Sequence, residues 1–384
     1  MLSKTEKLYY INAYTDSFTA SVLESYATDD GYDVILDRTT FFPEEGGQSS
    51  DTGYIGDARV SYVYEQDGII HHIADKPLKE GEYNCRIDFD GRFEKMQCHT
   101  AEHILCGIIH RLFGLDNVGF HLGEEEVTFD VSGVLDRAQL DRVEELANEA
   151  VFSNVAIETL FPTADELSAI EYRAKLDITE GVRLVKIGDV DTCACCAPHV
   201  AYTGEIGIIK ILDFMKHRGG TRIWMVAGRR ALSDYRARYD SVKKISGMLS
   251  TPQSQVADTL AVYIADCEGE RAALKAARLR IAELSAERVE ATEHSRVFYF
   301  PDFTIPELIA FSNIANKRVG GITVALSGSD GDYKYVISSS ITDLRVMARE
   351  INSALSGRGG GRPEMIQGSF AASLDEIKNY FENK

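Results

Sequence analysis

The sequence predicts an α+β chain in four parts: a small N-terminal β-barrel, an α+β domain, a helical or coiled-coil linker, and a C-terminal α/β domain. Three observations carry this. Short apolar–polar alternations broken by glycine fill residues 1–88, the pattern of strands and tight turns. Apolar residues take up helical spacing from residue 91 and share the stretch to 228 with further strand-like runs. A segment rich in Ala, Glu, Arg and Leu runs from 229 to 295, after which 296–384 returns to mixed α/β patterning.

In the first part Phe18, Ala20 and Val22 alternate with Thr19, Ser21 and Leu23, and 32–36 and 58–64 are similar runs. Asp67-Gly68 between two such runs reads as a hairpin turn, and closing the strands into a barrel removes their edges. Phe93, Met96, Thr100, His103, Ile104 and Ile108 then mark a helix that Gly114 stops. Leu140, Val143, Leu146 and Ala150 mark a second over 136–152, and strands are expected at 183–187 and 204–212. Pro252, after Ser250-Thr251, divides the linker into two helices. Leu260, Ile264, Cys267, Leu274, Ile281 and Leu284 fall near a 3-4 spacing there, interrupted by Arg271 and Arg278. Such a row either packs within the chain or forms a homodimer seam. The last part offers strands near 321–326 and 335–338, a helix over 342–354, a loop over 356–363 and a closing helix over 374–381.

A chain of 384 residues with 44% apolar and 26% charged residues fits a soluble protein of two or three domains. No apolar run approaches the roughly 20 residues that cross a bilayer, and the N-terminus lacks the basic-then-apolar order of a signal peptide. No membrane partner and a cytoplasmic location are therefore expected. Seven cysteines, three of them within 193–196, suit metal or thiol chemistry better than a disulfide framework. A net charge of −19 argues against a polyanionic partner. The stretch 210–244 is the exception, with Lys210, Lys216, Arg218, Arg222 and six further basic residues against Asp213, Asp234 and Asp240. It reads either as one basic face for RNA or as an ordinary solvated surface.

His99 and His103 lie four apart on the first helix, with Cβ atoms about 6 Å apart on one face. That separation suits a single metal. Cys195 and His199, in Cys193-Ala-Cys-Cys-Ala-Pro-His199, add a thiolate and a third imidazole, a donor set that zinc prefers. Spacing alone leaves open which cysteine is the ligand, since Cys193 and Cys196 also form a Cys-x-x-Cys pair. The deaminase pattern fails, because His99 is followed by Thr-Ala-Glu rather than x-Glu. His99-Thr-Ala-Glu-His103 also reads as the inverzincin peptidase element with Glu102 as base, which leaves Cys195 and His199 without a role.

These residues and several motifs in order resemble the editing half of alanyl-tRNA synthetases and their free-standing relatives, the AlaX proteins. Thr40-Phe-Phe-Pro-Glu-Glu-Gly-Gly-Gln48 with Ser49-Ser-Asp-Thr-Gly53 is similar to the family's glycine-rich barrel loop. His99-x-x-x-His103 and Cys195-x-x-x-His199, followed by Thr203-Gly-Glu-Ile-Gly207, match its two metal pairs, and Gly219-Gly-Thr-Arg222-Ile resembles the turn that follows. Gly357-Arg-Gly-Gly-Gly-Arg-Pro-Glu-Met365 looks like the signature of the DHH-associated C-terminal domain. Two departures stand out. Cys196-Ala197-Pro198 replaces the family's Gly-Gly-Thr, and Glu102 stands where the synthetases often carry Thr.

The resemblance implies a barrel with the Gly-Gly-Gln loop over 1–88, a zinc-containing editing domain over 89–228, a helical linker over 229–295 and a DHH-associated, tRNA-binding domain over 296–384. Beginning at the barrel, the chain reads as the long AlaX form, acting in trans. The implied activity is hydrolysis of the ester in tRNA(Ala) mischarged with serine, or secondarily with glycine, using one zinc ion on His99, His103, Cys195 and His199. Glu102 would orient water or bind the substrate ammonium, with Gln48 beside it. Gly46 and Gly47 would let backbone approach the aminoacyl end, and Thr128 would bond a seryl hydroxyl. Arg218 and Arg222 would follow the acceptor stem, while Arg358 and Arg362 would touch phosphate elsewhere on the tRNA. The rival reading is a non-catalytic tRNA-binding module with a structural zinc.

Overall fold

The computed structural model describes residues 3–123, 126–174 and 181–382. Its fold is mixed α/β, in two compact units, Met1–Val242 and Lys243–Lys384, whose division falls inside a helix.

The first unit opens with six antiparallel strands: β1 (Ser17–Thr28), β2 (Gly31–Leu36), β3 (Gly53–Ile55), β4 (Ala58–Gln66), β5 (Ile69–Ala74) and β6 (Gly81–Ile87). They pair in the order β1-β2-β5-β4-β3-β6, and β6 pairs back onto β1. Asp67 and Gly68 make the tight turn between β4 and β5, both at positive φ, as a two-residue hairpin requires. Alternation along β4 sends Ala58 and Val60 into a core shared with Val34, Phe41 and Ile70, and an irregularity in register between Val60 and Tyr62 turns Val63 inward as well.

Helix α1 (Phe89–Phe113) follows, capped by the Asp88 side chain and ended by Gly114 in the left-handed conformation. Its apolar residues run almost all round it, because it is covered on several sides; Met96, Cys98, Leu105 and Ile109 are fully buried. It packs against a sheet of β7 (Asn117–Leu122) and β8 (Val127–Val131) and against α2 (Arg137–Phe152). A small sheet of β9 (Ile157–Leu160), β10 (Leu184–Ile187) and β11 (Asp191–Ala194) comes next. The hairpin of β12 (Ile209–His217) and β13 (Gly220–Ala227) completes the larger sheet, in the order β12-β13-β8-β7. Where a strand was expected over 204–212, a short 3-10 turn at Thr203–Ile206 comes first and the strand starts at Ile209. Tyr202 and Glu205 cap that turn through Thr203-Gly-Glu.

Helix α3 (Gly228–Leu249) carries the chain into the second unit, and α4 (Val256–Glu287) begins past Pro252, the break the sequence marked. The second unit is built on β14 (Arg296–Phe300), α5 (Ile305–Ala315), β15 (Thr323–Ser329), β16 (Asp332–Ser338), α6 (Leu344–Ala354), β17 (Gly357–Arg362), β18 (Met365–Phe370) and α7 (Leu374–Glu382). Its sheet runs β14-β15-β16-β18-β17, with β14 and β15 parallel. The glycine-rich stretch expected as a loop is thus an edge strand, β17, paired along its length with β18. Glycine permits that close register: a Cβ at Gly359 would stand 2.3 Å from the carbonyl oxygen of Gln367.

Candidate metal centre

His99 and His103 project from one face of α1, and the segment after β11 brings Cys195 and His199 to meet them. That segment is held in place by packing: Ala197 is fully buried in the core of the N-terminal strands, with Cys195 and Cys196 against its edge. One donor atom from each of the four residues lies within 4.8 Å of the others. Cys195 Sγ is 3.3 Å from His199 Nε2 and 3.6 Å from His99 Nε2. Ligands about 2.0–2.3 Å from a tetrahedral zinc sit about 3.5 Å apart, so the donor set and its spacing fit that ion. Among the described residues no glutamate joins this group, as the peptidase pattern would need.

Two of the imidazoles are hydrogen-bonded at Nδ1, and the third has a carboxylate beside it. Gln48 Oε1 is 2.8 Å from His99, Thr100 Oγ1 is 3.0 Å from His199, and Asp191 Oδ2 is 3.3 Å from His103. Arg173 forks onto Asp191 at 2.7 and 2.8 Å. Such outer contacts set ring orientation and tautomer at metal sites. The sequence reading gave Gln48 a place beside the substrate and missed Thr100, Asp191 and Arg173. Asp191 also joins His103 and Cys193 in a second group of close donors.

Electrostatics follow from burial and crowding. Burial pushes the Cys195 thiol up, but the imidazoles of His99, His199 and His103 outweigh it and hold the thiol well below its ordinary range. Burial lowers His199 to about 3. Burial also opposes the charged form of His103, yet Cys193, Cys195 and Asp191 hold that imidazole well above its usual value. Asp191 stays below the usual carboxylate range despite burial, because His103 and Arg173 bond to it.

Glu102 is buried, not a solvated helix carboxylate. Its Oε1 accepts from Asn117 Nδ2 and lies 3.3 Å from Cys106 Sγ, while Oε2 is 3.9 Å from His103 Nε2. It lines a cavity of about 410 Å³ together with His99, Gly46, Asn117, Arg183 and Cys196. Gly46 and Gly47 form a tight turn at positive φ, closed by Glu45 and Gln48 backbone bonds of 3.2 and 3.0 Å. This turn docks on β7, where Leu122 donates to the Gly47 carbonyl at 2.8 Å. It is anchored to α1 from below: the fully buried Arg92 forks onto Asp51 and donates to the Thr40 carbonyl, and Lys95 reaches the Ser50 carbonyl at 2.5 Å.

Other sequence-selected residues lie elsewhere. Val127, Phe129 and Val131 turn into the core, so the two-residue period of β8 sends Thr128 to the other face, opposite Trp224 and His121. Thr128 does not line the cavity. Arg222 is on that outer face and forks onto Asp130 at 2.8 and 2.7 Å. Arg218 is exposed at the tip of the β12–β13 hairpin. The 210–244 stretch is not one stripe. It divides between a hairpin and a helix, and Lys210, Arg229, Arg230 and Arg238 pair with Glu144, Asp90, Glu94 and Asp234. In the second unit Arg358 and Arg362 are exposed on β17, with no ion-pair partner among the described residues.

Residues 182–244 match the family described as Threonyl and Alanyl tRNA synthetase second additional domain. The chain is 28% identical to the Alanyl-tRNA editing protein AlaX-L of Pyrococcus horikoshii, over 97% of this chain and 96% of that protein. It is 31% identical to the alanine–tRNA ligase of Halobacterium salinarum over 94% of this chain, and spans 41% of that ligase. The ligase of Hyperthermus butylicus gives 29% identity over 94% of this chain. The resemblance read from the motifs is borne out.

Proposed function

We propose, from homology over nearly the whole chain to AlaX-L and to the matching part of alanine–tRNA ligases, that this protein is a zinc-dependent deacylase. It would act in trans on tRNA(Ala) mischarged with serine, and secondarily with glycine. The observation that carries this reading is the cluster of His99, His103, Cys195 and His199, of which the first three line a cavity together with Glu102 and Gly46.

A zinc held by those four residues would supply Lewis-acid polarisation at the aminoacyl ester. The protein's own groups do the rest. Gln48, Thr100 and Asp191 keep the imidazoles aimed. Gly46 leaves room for close approach of the ester, and Glu102 accepts a proton from the attacking water or holds the substrate ammonium. Water adds to the acyl carbon, the acyl–oxygen bond breaks, and the terminal ribose hydroxyl leaves with a proton. Asn117 and Glu102, in place of Thr128, offer polar groups to a seryl hydroxyl. A seryl hydroxyl would join the bond those two side chains already share and add contacts that alanine cannot make, which would favour the serine ester over the correct product.

The test is direct. Zinc-loaded protein is expected to release serine from Ser-tRNA(Ala) and to leave Ala-tRNA(Ala) charged. Binding of both tRNAs without release of serine would make it the non-catalytic binding module instead.

A further inference from the structure

Among the described residues no carboxylate is ion-paired with Arg183. The residue is only 8% exposed and precedes β10 in the cavity wall. Nη1 donates to the carbonyls of Cys195 and Ala197 at 2.7 and 2.9 Å, and Nη2 makes one long contact of 3.4 Å to Thr159. The guanidinium sits 5.2 Å over the Tyr10 ring. Nε is buried and has no partner among the described residues. Other buried arginines of this unit are neutralised: Arg92 by Asp51 and Arg173 by Asp191. No carboxylate lies within ion-pair reach of Arg183 among the described residues. Burying a cation without a counter-charge is costly, and the two carbonyl bonds need only neutral donors. The Cys195 sulfur, on the segment that Arg183 holds through its carbonyl, is committed to the cluster with the three imidazoles.

Two donors remain, the Nε–H and one N–H of Nη2. They form the side-on fork by which arginine takes an oxyanion. The opposite charge is also present in the same cavity, since Glu45 and Glu102 line it. An aminoacyl nucleotide has the matching polarity, with an ammonium at one end and a phosphate beyond the ribose. We propose that Arg183 is the cavity's anion-binding residue, and that its ligand is the phosphate on the 5′ side of the terminal ribose. This assignment rests on the deacylase reading and names how that site holds its substrate.

The test compares two non-hydrolysable probes on the zinc-loaded full chain: 3′-seryl-amido-3′-deoxyadenosine, and the same compound carrying a 5′-phosphate. Titration calorimetry is expected to show the phosphate tightening binding by about tenfold or more, as a charge-assisted fork should. In Arg183→Gln that gain, read as the ratio of the two affinities, is expected to vanish, whatever the change in affinity for the plain nucleoside. Arg183→Lys should keep part of the gain. Equal binding of the two probes by the wild-type protein overturns the assignment and leaves the deacylase reading intact; this arm needs no variant to fold. An undiminished phosphate gain in a folded, zinc-loaded Arg183→Gln protein overturns it too. If neither probe binds the wild-type protein, the substrate class itself is wrong and the assignment falls with it.

Discussion

His103 shows how this centre is organised, since its imidazole is held from behind by Asp191, which Arg173 holds in turn. Asp191→Asn keeps the shape and removes the charge, so zinc affinity should fall about 10- to 100-fold. Competition against a chromophoric chelator measures this, and unchanged affinity would show that the carboxylate does not orient the ring. Cys195→Ser should lower zinc content outright, as the peptidase reading would not predict. Glu102→Gln tests a different role: zinc retained, with kcat on Ser-tRNA(Ala) down about 10²- to 10⁴-fold if the carboxyl moves a proton. The four residues of the His/Cys cluster were legible because each pair is local, four residues apart on a helix or a short segment. Asp191 and Thr100 were not, since an Asp before a strand and a Thr within a helix carry no spacing signal until the segments meet. Thr128 misled for the converse reason. A strand residue's face depends on register, and one step of register moves it from cavity to exterior.

Among the elements, the Gly46-Gly47 turn has the tightest conformational demand. Gly47 has φ +85, and an added Cβ would lie 2.4 Å from the Phe120 carbonyl oxygen. Gly47→Ala should therefore cost about 1–3 kcal/mol of stability and displace Gln48 from His99. Thermal unfolding and zinc titration read the two effects separately, and an unchanged zinc affinity would mean that Gln48 finds His99 by another path. The six N-terminal strands make a pH prediction. His72 is fully buried between the Val34 carbonyl and Thr39, and burial lowers it to about 4. The unfolded chain binds a proton below about 6.5, so the folded state loses stability as pH falls from there towards 4, by on the order of 3 kcal/mol. His72→Gln should flatten that part of the stability–pH curve. The end of α1 was readable because Gly114 announces it, whereas its start under the Asp88 cap was not singled out. The stretch 357–362 was not, because glycines that signal a loop in isolation here make room for a partner strand.

At the scale of the molecule, the proposed function requires an acidic chain to bind a polyanion, and much of the basic stretch that the sequence offers for this is internally neutralised. Ion pairs occupy Lys210, Arg222, Arg229, Arg230 and Arg238, so their charge is largely withheld from releasing phosphate counterions. Arg358 and Arg362 differ. Four residues apart on an edge strand, they share one face about 13 Å from end to end, and the glycines between them add no bulk. If the second unit supplies tRNA affinity, replacing both by Ala should weaken binding of whole tRNA. The slope of log K against log salt should also fall by about two, one for each phosphate that is no longer neutralised. The same double variant should hydrolyse a short seryl acceptor-stem substrate at the wild-type rate, because the metal cluster and cavity belong wholly to the first unit. Filter binding across a salt series, paired with single-turnover hydrolysis of the short substrate, reads both arms. An unchanged salt slope would move the RNA contact back to cations of the 210–244 stretch with no ion pair among the described residues, such as Lys216, Arg218 and Arg236. A slower short substrate would instead mean that the second unit shapes the hydrolytic site.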